Sequence, residues 1–198
     1  MTEATAPAQI PCTAFAGTTC IGSGDITEIA LKAKALLDRD DSTGVIIFND
    51  ATGSVMDVEF RGTAADVARW VETAYRPAPP PRGPGRPRLG VVAREVTLLP
   101  RHWDWLATQP GGASVALRRL VEDARRTSGG KDRIRGSQAA AYKFMSAMAG
   151  NEPGFEEAAR ALFAGEWTRL DEHTASWTPD VRDYALSLAA DAFATECP

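Results

Sequence analysis

Few residues in this chain of 198 stand at spacings that chemistry can use. Gly22-Ser23-Gly24-Asp25 opens an expected helix, so its backbone N–H groups could face an anion. The remaining glycines of a dinucleotide fingerprint are missing, as is the Gly-Lys-Ser/Thr of a phosphate loop, and a plain turn before a capped helix is expected instead. Asp38, Asp40 and Asp41 lack the glycine and distal glutamate of a calcium loop, which makes them a solvated loop. His102 and His173, the only histidines, have no cysteine or carboxylate at ligand spacing. No nucleophile, base and orienting group stand together along the chain. Cys12, Cys20 and Cys197 are odd in number and too irregularly spaced for a disulfide framework or a zinc site. No metal, cofactor or enzymatic activity is therefore expected.

Charge is the chemistry that stands out. Residues 1–75 hold 5 basic and 11 acidic side chains, a net of −6. Residues 76–143 hold 14 and 5, a net of +9, and residues 144–198 hold 3 and 10, a net of −7. The whole chain is at −4. A basic middle between acidic flanks suits a segment that meets a polyanion, or a basic face docked on its own acidic neighbours. No run of about 18 apolar residues exists to span a membrane. The Thr/Ala/Pro-rich start has neither the basic nor the apolar region of a secretory signal, and a cytoplasmic, nucleoid-associated location is expected.

The elements that would position these charges can be read in order. Short strands at Thr13–Ala16 and Cys20-Ile21 flank a Gly17-Thr18-Thr19 turn. Asp25 is expected to cap a helix, with Glu28 completing a capping box and Ile29, Ala33, Leu36 and Leu37 forming its apolar stripe. Val45–Phe48 is a continuous apolar strand, Asn49–Gly53 a turn, and Met56, Val58 and Phe60 alternate as a strand with one wet face. Thr63 caps a helix carrying Val67, Trp70 and Val71. The order is ββαββα.

Residues 76–90 read as a solvated Pro/Gly/Arg-rich linker. Within it, Gly85-Arg86-Pro87-Arg88 resembles the Gly-Arg-Pro core of AT-hook minor-groove binders, although Pro84 replaces the usual preceding basic residue. That likeness implies that Arg86 and Arg88 enter the narrow groove of A·T-rich DNA. A plain linker and a DNA-tracking arm both remain open.

Val91–Leu99 has the pattern of a strand, and Pro100 suits the first position of a helix carrying Trp103, Leu106 and Ala107. Pro110-Gly111-Gly112 stops that helix. A second opens near Gly112–Ser114, turns Leu117, Leu120, Val121 and Ala124 inward, and clusters Arg118, Arg119, Arg125 and Arg126 outward. A lone strand and two short amphipathic helices cannot bury their apolar faces alone, and pairing with a second copy across a two-fold axis would cover both.

Val96-Thr97-Leu98-Leu99-Pro100, Trp103, Leu106, Gly112-Ala113-Ser114 and Leu117–Val121 make this segment resemble the ribbon-helix-helix family of MetJ, Arc and CopG type. The likeness implies a homodimer through the strand at 94–99, whose ribbon enters the major groove of duplex DNA. Thr97 falls on a base-reading position, with Glu95 beside it or Arg94 presented by a local bulge. Gly112 and Ser114 fall on the phosphate site at a helix N-terminus, with Arg118 and Arg119 on the basic face. The chain as a whole also resembles an uncharacterised bacterial family known only as a domain of unknown function, which implies no activity.

The C-terminal third is helical. Ile134, Gln138, Ala141, Met145 and Met148 line one helix ending at Gly150-Asn151. Phe155, Ala159, Leu162 and Phe163 line the next, closed by Gly165, and a short segment with Trp167 and Leu170 follows. Thr178-Pro179 starts a last helix with Val181, Tyr184, Ala185, Leu188 and Ala192.

The expected class is α+β: a ββαββα module (1–75), the linker (76–90), a ribbon-helix-helix module (91–130) and a helical module (131–198). The expected function is homodimeric DNA binding in transcription regulation. Alternatives are an architectural nucleoid protein, or an antitoxin-like protein whose ribbon only dimerises and whose helical C-terminus holds a protein partner.

Overall fold

A computed structural model of the chain describes residues 9–40, 42–76, 92 and 94–193. Asp41, Cys197 and the linker residues 77–90, Arg86 and Arg88 among them, lie outside the described residues. The chain divides into two units, one of residues 1–78 with 133–198 and one of residues 79–132. Among the described residues the class is mixed α+β, with one four-stranded antiparallel sheet and seven α-helices.

In the first unit, both faces of strand β1 (Pro11–Ala16) are covered. Side chains alternate across a strand, so Cys12 and Ala14 face one way while Thr13 and Phe15 face the other. All four are buried. β1 lies between β2 (Thr19–Asp25) and β3 (Val45–Asn49), and β4 (Val55–Met56) adds a short edge. Thr13 pairs with Phe48 and Ala14 with Ile47, which keeps Phe48 beside Phe15 on one face. On β3 the burial of both faces is confined to Ile47 and Phe48, whose neighbouring side chains point to opposite sides of the sheet; Ile46 is 36% exposed.

Helices α1 (Ile26–Leu37) and α2 (Ala64–Tyr75) cover the face of Cys12, Ala14 and Ile47 with Ile26, Ile29, Ala33, Val67 and Val71. Asp25 caps α1 by accepting from the Thr27 N–H at 3.1 Å. Glu28 does not complete the expected capping box; its carboxylate pairs instead with Lys32 at 2.8 Å, one turn on. Thr63 and Asp66 do form a capping box at the start of α2. The strand expected over Met56–Phe60 stops at Met56, and residues 57–60 run on without a ladder.

The opposite face of the sheet is covered by helices from the last third of the chain. These are residues 133–148 of α4 (Gly112–Met148), α5 (Phe155–Ala164), α6 (Trp167–Thr174) and α7 (Pro179–Ala189), with a 3-10 turn at Ala190–Phe193. The first and last segments read from sequence as separate modules thus share one core. Phe15, Phe48, Phe144 and Tyr184 form its centre, with ring centroids 4.6–6.1 Å apart. Gly165 closes α5 in the left-handed conformation (φ 75°), where a side chain would be strained.

The turn between β3 and β4 sets the distance between sheet and α4. Gly53 has φ 62°, and a Cβ there would stand 1.9 Å from the Ala140 carbonyl oxygen. Only hydrogen fits.

In the second unit, residues 94–99 belong to no strand, and no described residue bonds to the backbone of residues 94–98. The sequence pattern for a strand there meets no pairing neighbour among the described residues, and a ladder needs two sides. Helix α3 (Pro100–Ala107) has Pro100 at its first position, and α4 begins at Gly112 as expected. Rather than breaking into two helices, α4 passes through Gly129 and Gly130 as one element of 37 residues.

Gly53→Ala should cost about 2–4 kcal/mol, the sum of a positive φ and a backbone clash. Gly136 on α4 has nothing within 4 Å of a built Cβ. Gly136→Ala should therefore stabilise by about 0.5–1 kcal/mol through helix propensity. Urea unfolding of both variants checks the contrast.

Candidate functional site

Two places on the described chain concentrate polar or charged groups with unfilled valences. The first is the surface of residues 92–126. Pro100 and the extended Leu99 before it direct the chain into α3, and Gly111 (φ 81°) and Gly112 (φ 74°) turn it into α4. Leu106 and Ala116 are buried in this unit. Leu120 and Val121, expected to face inward, are 42% and 57% exposed, and Val96 is 53% exposed. No described residue covers them.

Arg94, Glu95 and Thr97 are exposed together just before α3. Ser114, Arg118 and Arg119 are exposed in the first two turns of α4. Gly112, expected on a phosphate site, already donates its N–H to the Gln109 carbonyl at 3.0 Å. The unspent donors of the helix start are the next N–H groups, at Ala113, Ser114 and Val115. The four clustered arginines also separate. Arg125 pairs with Glu122 at 3.3 Å and Arg126 with Asp123 at 3.5 Å, so their charge is partly met within the helix. Arg118 bonds only to the Ser114 carbonyl, and Arg119, Arg94 and Arg101 make no ion pair among the described residues.

The second place is a polar cavity of about 740 Å³ in the first unit, bounded by β1, β2, the β3–β4 turn, α4, α7 and the 3-10 turn after it. Asp50 stands at its centre. The Asp50 N–H is tied to the Pro11 carbonyl at 3.0 Å, which fixes the turn. Its Oδ1 accepts from the Tyr184 hydroxyl at 2.7 Å and lies 2.9 Å from Thr13 Oγ1. Thr13 is also 2.8 Å from Ser23 Oγ. With one proton to give, Thr13 donates to the carboxylate and takes its second bond from Ser23. Ser137 donates to the Leu188 carbonyl at 2.6 Å and accepts from the Ala192 N–H at 3.1 Å, which seats α4 against α7 and the turn that follows.

Burial, then the bond to Asp50 and its charge, pushes the Tyr184 hydroxyl far above the ordinary tyrosine value. Burial, and behind it the charges of Asp50 and Asp25, pushes the Cys12 thiol up to about 12. Cys12 is therefore a thiol rather than a nucleophile. Asp25 behaves oppositely. Burial opposes its ionisation, but N–H groups of Thr27 and Ile10 and the Arg76 guanidinium, 2.6 Å away, hold its carboxyl below the ordinary value.

Sequence patterns gave no sign of this cavity, because Thr13, Asp50 and Tyr184 come from three distant parts of the chain. One signal was present. Tyr184 sits on a helix face otherwise made of Val181, Ala185 and Leu188, and a tyrosine hydroxyl in such a place needs a partner. Among the described residues no three His, Cys, Asp or Glu side chains group as a metal site. No described helix is long and apolar enough to cross a membrane.

A raised folded pKa contributes stability that is complete below the unfolded value and is lost as pH rises. For Cys12 that loss runs from about 9 toward about 12, and Tyr184 adds to it once unfolded tyrosine ionises near ~10. Urea unfolding should show less stability at pH 10.5 than at pH 8. The double variant Cys12→Ala/Tyr184→Phe should show a smaller difference.

Comparison with curated proteins and with solved structures finds no match. A family model does match residues 11–189, nearly the whole chain, and by that match the chain belongs to the family described as an uncharacterised protein conserved in bacteria, DUF2239.

Proposed function

We propose that the chain is a homodimeric DNA-binding protein that regulates transcription, acting in the cytoplasm on the nucleoid. What carries this is the placement of uncovered apolar side chains. Of the twelve large hydrophobic residues exposed in the described chain, eight lie between residues 92 and 121. Soluble chains rarely leave such surface open unless a partner covers it. Val96, Leu99, Trp103, Trp105, Leu120 and Val121 would pack against the same residues of a second copy, as an isologous two-fold contact requires.

The backbone of residues 94–98 has donors and acceptors to spare, which antiparallel pairing with its copy would use. That pairing creates the ribbon of the ribbon-helix-helix arrangement. Thr97, Glu95 and Arg94 then face the major groove, and Ser114 with the free N–H groups of the α4 start faces a phosphate. Arg118, Arg119 and Arg101 supply charge that no carboxylate among the described residues neutralises. Arg86 and Arg88 would follow the adjacent minor groove.

Light scattering on the full chain should give a dimer, and Val96→Pro, which removes a ladder donor, should give a monomer. Anisotropy titrations with random and genomic-library duplexes should show affinity that falls with salt, about −0.9 in the log–log slope per phosphate neutralised. Arg118→Ala/Arg119→Ala should flatten that slope by about 2, whereas Thr97→Ala should blunt sequence preference and leave it unchanged. A dimer without DNA affinity at low salt would overturn the proposal. Salt-dependent binding without sequence preference would make it an architectural protein instead of a regulator.

A further inference from the structure

The cavity around Asp50 has an unusual hydrogen-bond balance. Every side-chain hydroxyl that lines it has spent its proton on the protein. Thr13 and Tyr184 donate to Asp50, Ser23 to Thr13, Ser137 to the Leu188 carbonyl, and Ser187 to the Tyr184 carbonyl at 2.7 Å. What these groups turn to the cavity is lone pairs. Asp50 Oδ2 has no partner among the described residues, and neither carboxylate oxygen of Asp191, also on the lining, has one. Acceptors and negative charge thus dominate one part of the lining. The one side-chain donor group left is the exposed guanidinium of Arg133, which makes no ion pair among the described residues.

A site rich in acceptors and carboxylates is complementary to a ligand rich in protons and positive charge. We infer that this cavity binds a small molecule carrying a protonated primary amine, whose ammonium group donates to Asp50 Oδ2. The three N–H donors of an ammonium suit a lining of acceptors, with Asp50 Oδ2 as the charged one. Water cannot supply the charge. The hydroxyls of Thr13 and Tyr184 hold Asp50 in place before the ligand arrives, so little ordering remains to be done on binding. About 740 Å³ accommodates a ligand of amino-acid size or larger. Two kinds of molecule share this chemistry. A free amino acid would also offer a carboxylate to Arg133, and a polyamine would not.

The inference is independent of DNA binding by the second unit, which would stand if the cavity proved empty of ligands. Isothermal titration calorimetry of the full chain tests it with the twenty amino acids, putrescine as an amine without a carboxylate, and succinate as a carboxylate without an amine. Saturable binding of an amine is expected, weakened at least tenfold in Asp50→Asn. Gly136→Phe should abolish it independently. Gly136 lines the cavity on an exposed turn of α4 with open space at its Cβ, so a ring there has room to occupy the site while the Asp50 side chain is left unchanged. Should Asp50→Asn fail to fold, Gly136→Phe decides. Arg133→Gln separates the sources, weakening an amino acid but leaving putrescine unchanged or tighter. Preference for succinate, no saturable amine binding at millimolar concentration, or unaltered affinity in the folded variants would overturn the inference.

Discussion

The backbone of the β3–β4 turn lies directly against the backbone of α4, and the missing side chain of Gly53 is what allows it. Much of the first unit follows from that approach. It brings Phe48 within 4.8 Å of Phe144, centroid to centroid, and Ser54 within 3.2 Å of the Lys143 ammonium. It also places Asp50, three residues before the glycine, where the hydroxyl of Tyr184 can reach it. A wider separation would open the aromatic centre and leave a half-buried carboxylate without its donors, which costs more than the bonds themselves contribute.

Local chemistry made most of the secondary structure legible. Thr63 with Asp66, Pro100, Gly165 and Thr178-Pro179 each announce a helix end by a mechanism that acts within four residues. The ββαββα order and the C-terminal helices follow from such signals. Glu28 departs from its expected capping role because Lys32, one turn on, competes for its carboxylate. What sequence alone did not show is how distant parts combine. Asp25 and Arg76 are 51 residues apart, and Asp50 and Tyr184 are 134 apart, so neither pair leaves a periodic trace. Residues 94–99 show the converse. Their pattern is that of a strand, but a strand is a property of two segments, and no second segment pairs with them among the described residues.

Net charge counted along the sequence overstates what a ligand would meet. Arg76, the first cation of the basic stretch, is committed to Asp25 and Glu72, and 14% of its side chain is exposed. Arg125 and Arg126 share their charge with acids one turn away. Lys143 turns its ammonium to Ser54. Among the described residues of this stretch, Arg94, Arg101, Arg118, Arg119, Lys131, Arg133 and Lys143 are the cations that pair with no acid, a smaller set than the basic count along the sequence.

The strand order β2-β1-β3-β4 leaves β2 and β4 as the edges of the sheet. β4 is two residues long and presents almost no ladder to extend. On β2 the Cys20 amide is already held by the Asp180 carboxylate, 2.7 Å away in the first turn of α7. Open edges recruit neighbouring chains into unlimited β-stacks, and blunted ones resist it. The sheet is thereby guarded against aggregation at its two margins. Residues 94–98, by contrast, leave their backbone without a ladder among the described residues, as residues 57–60 do.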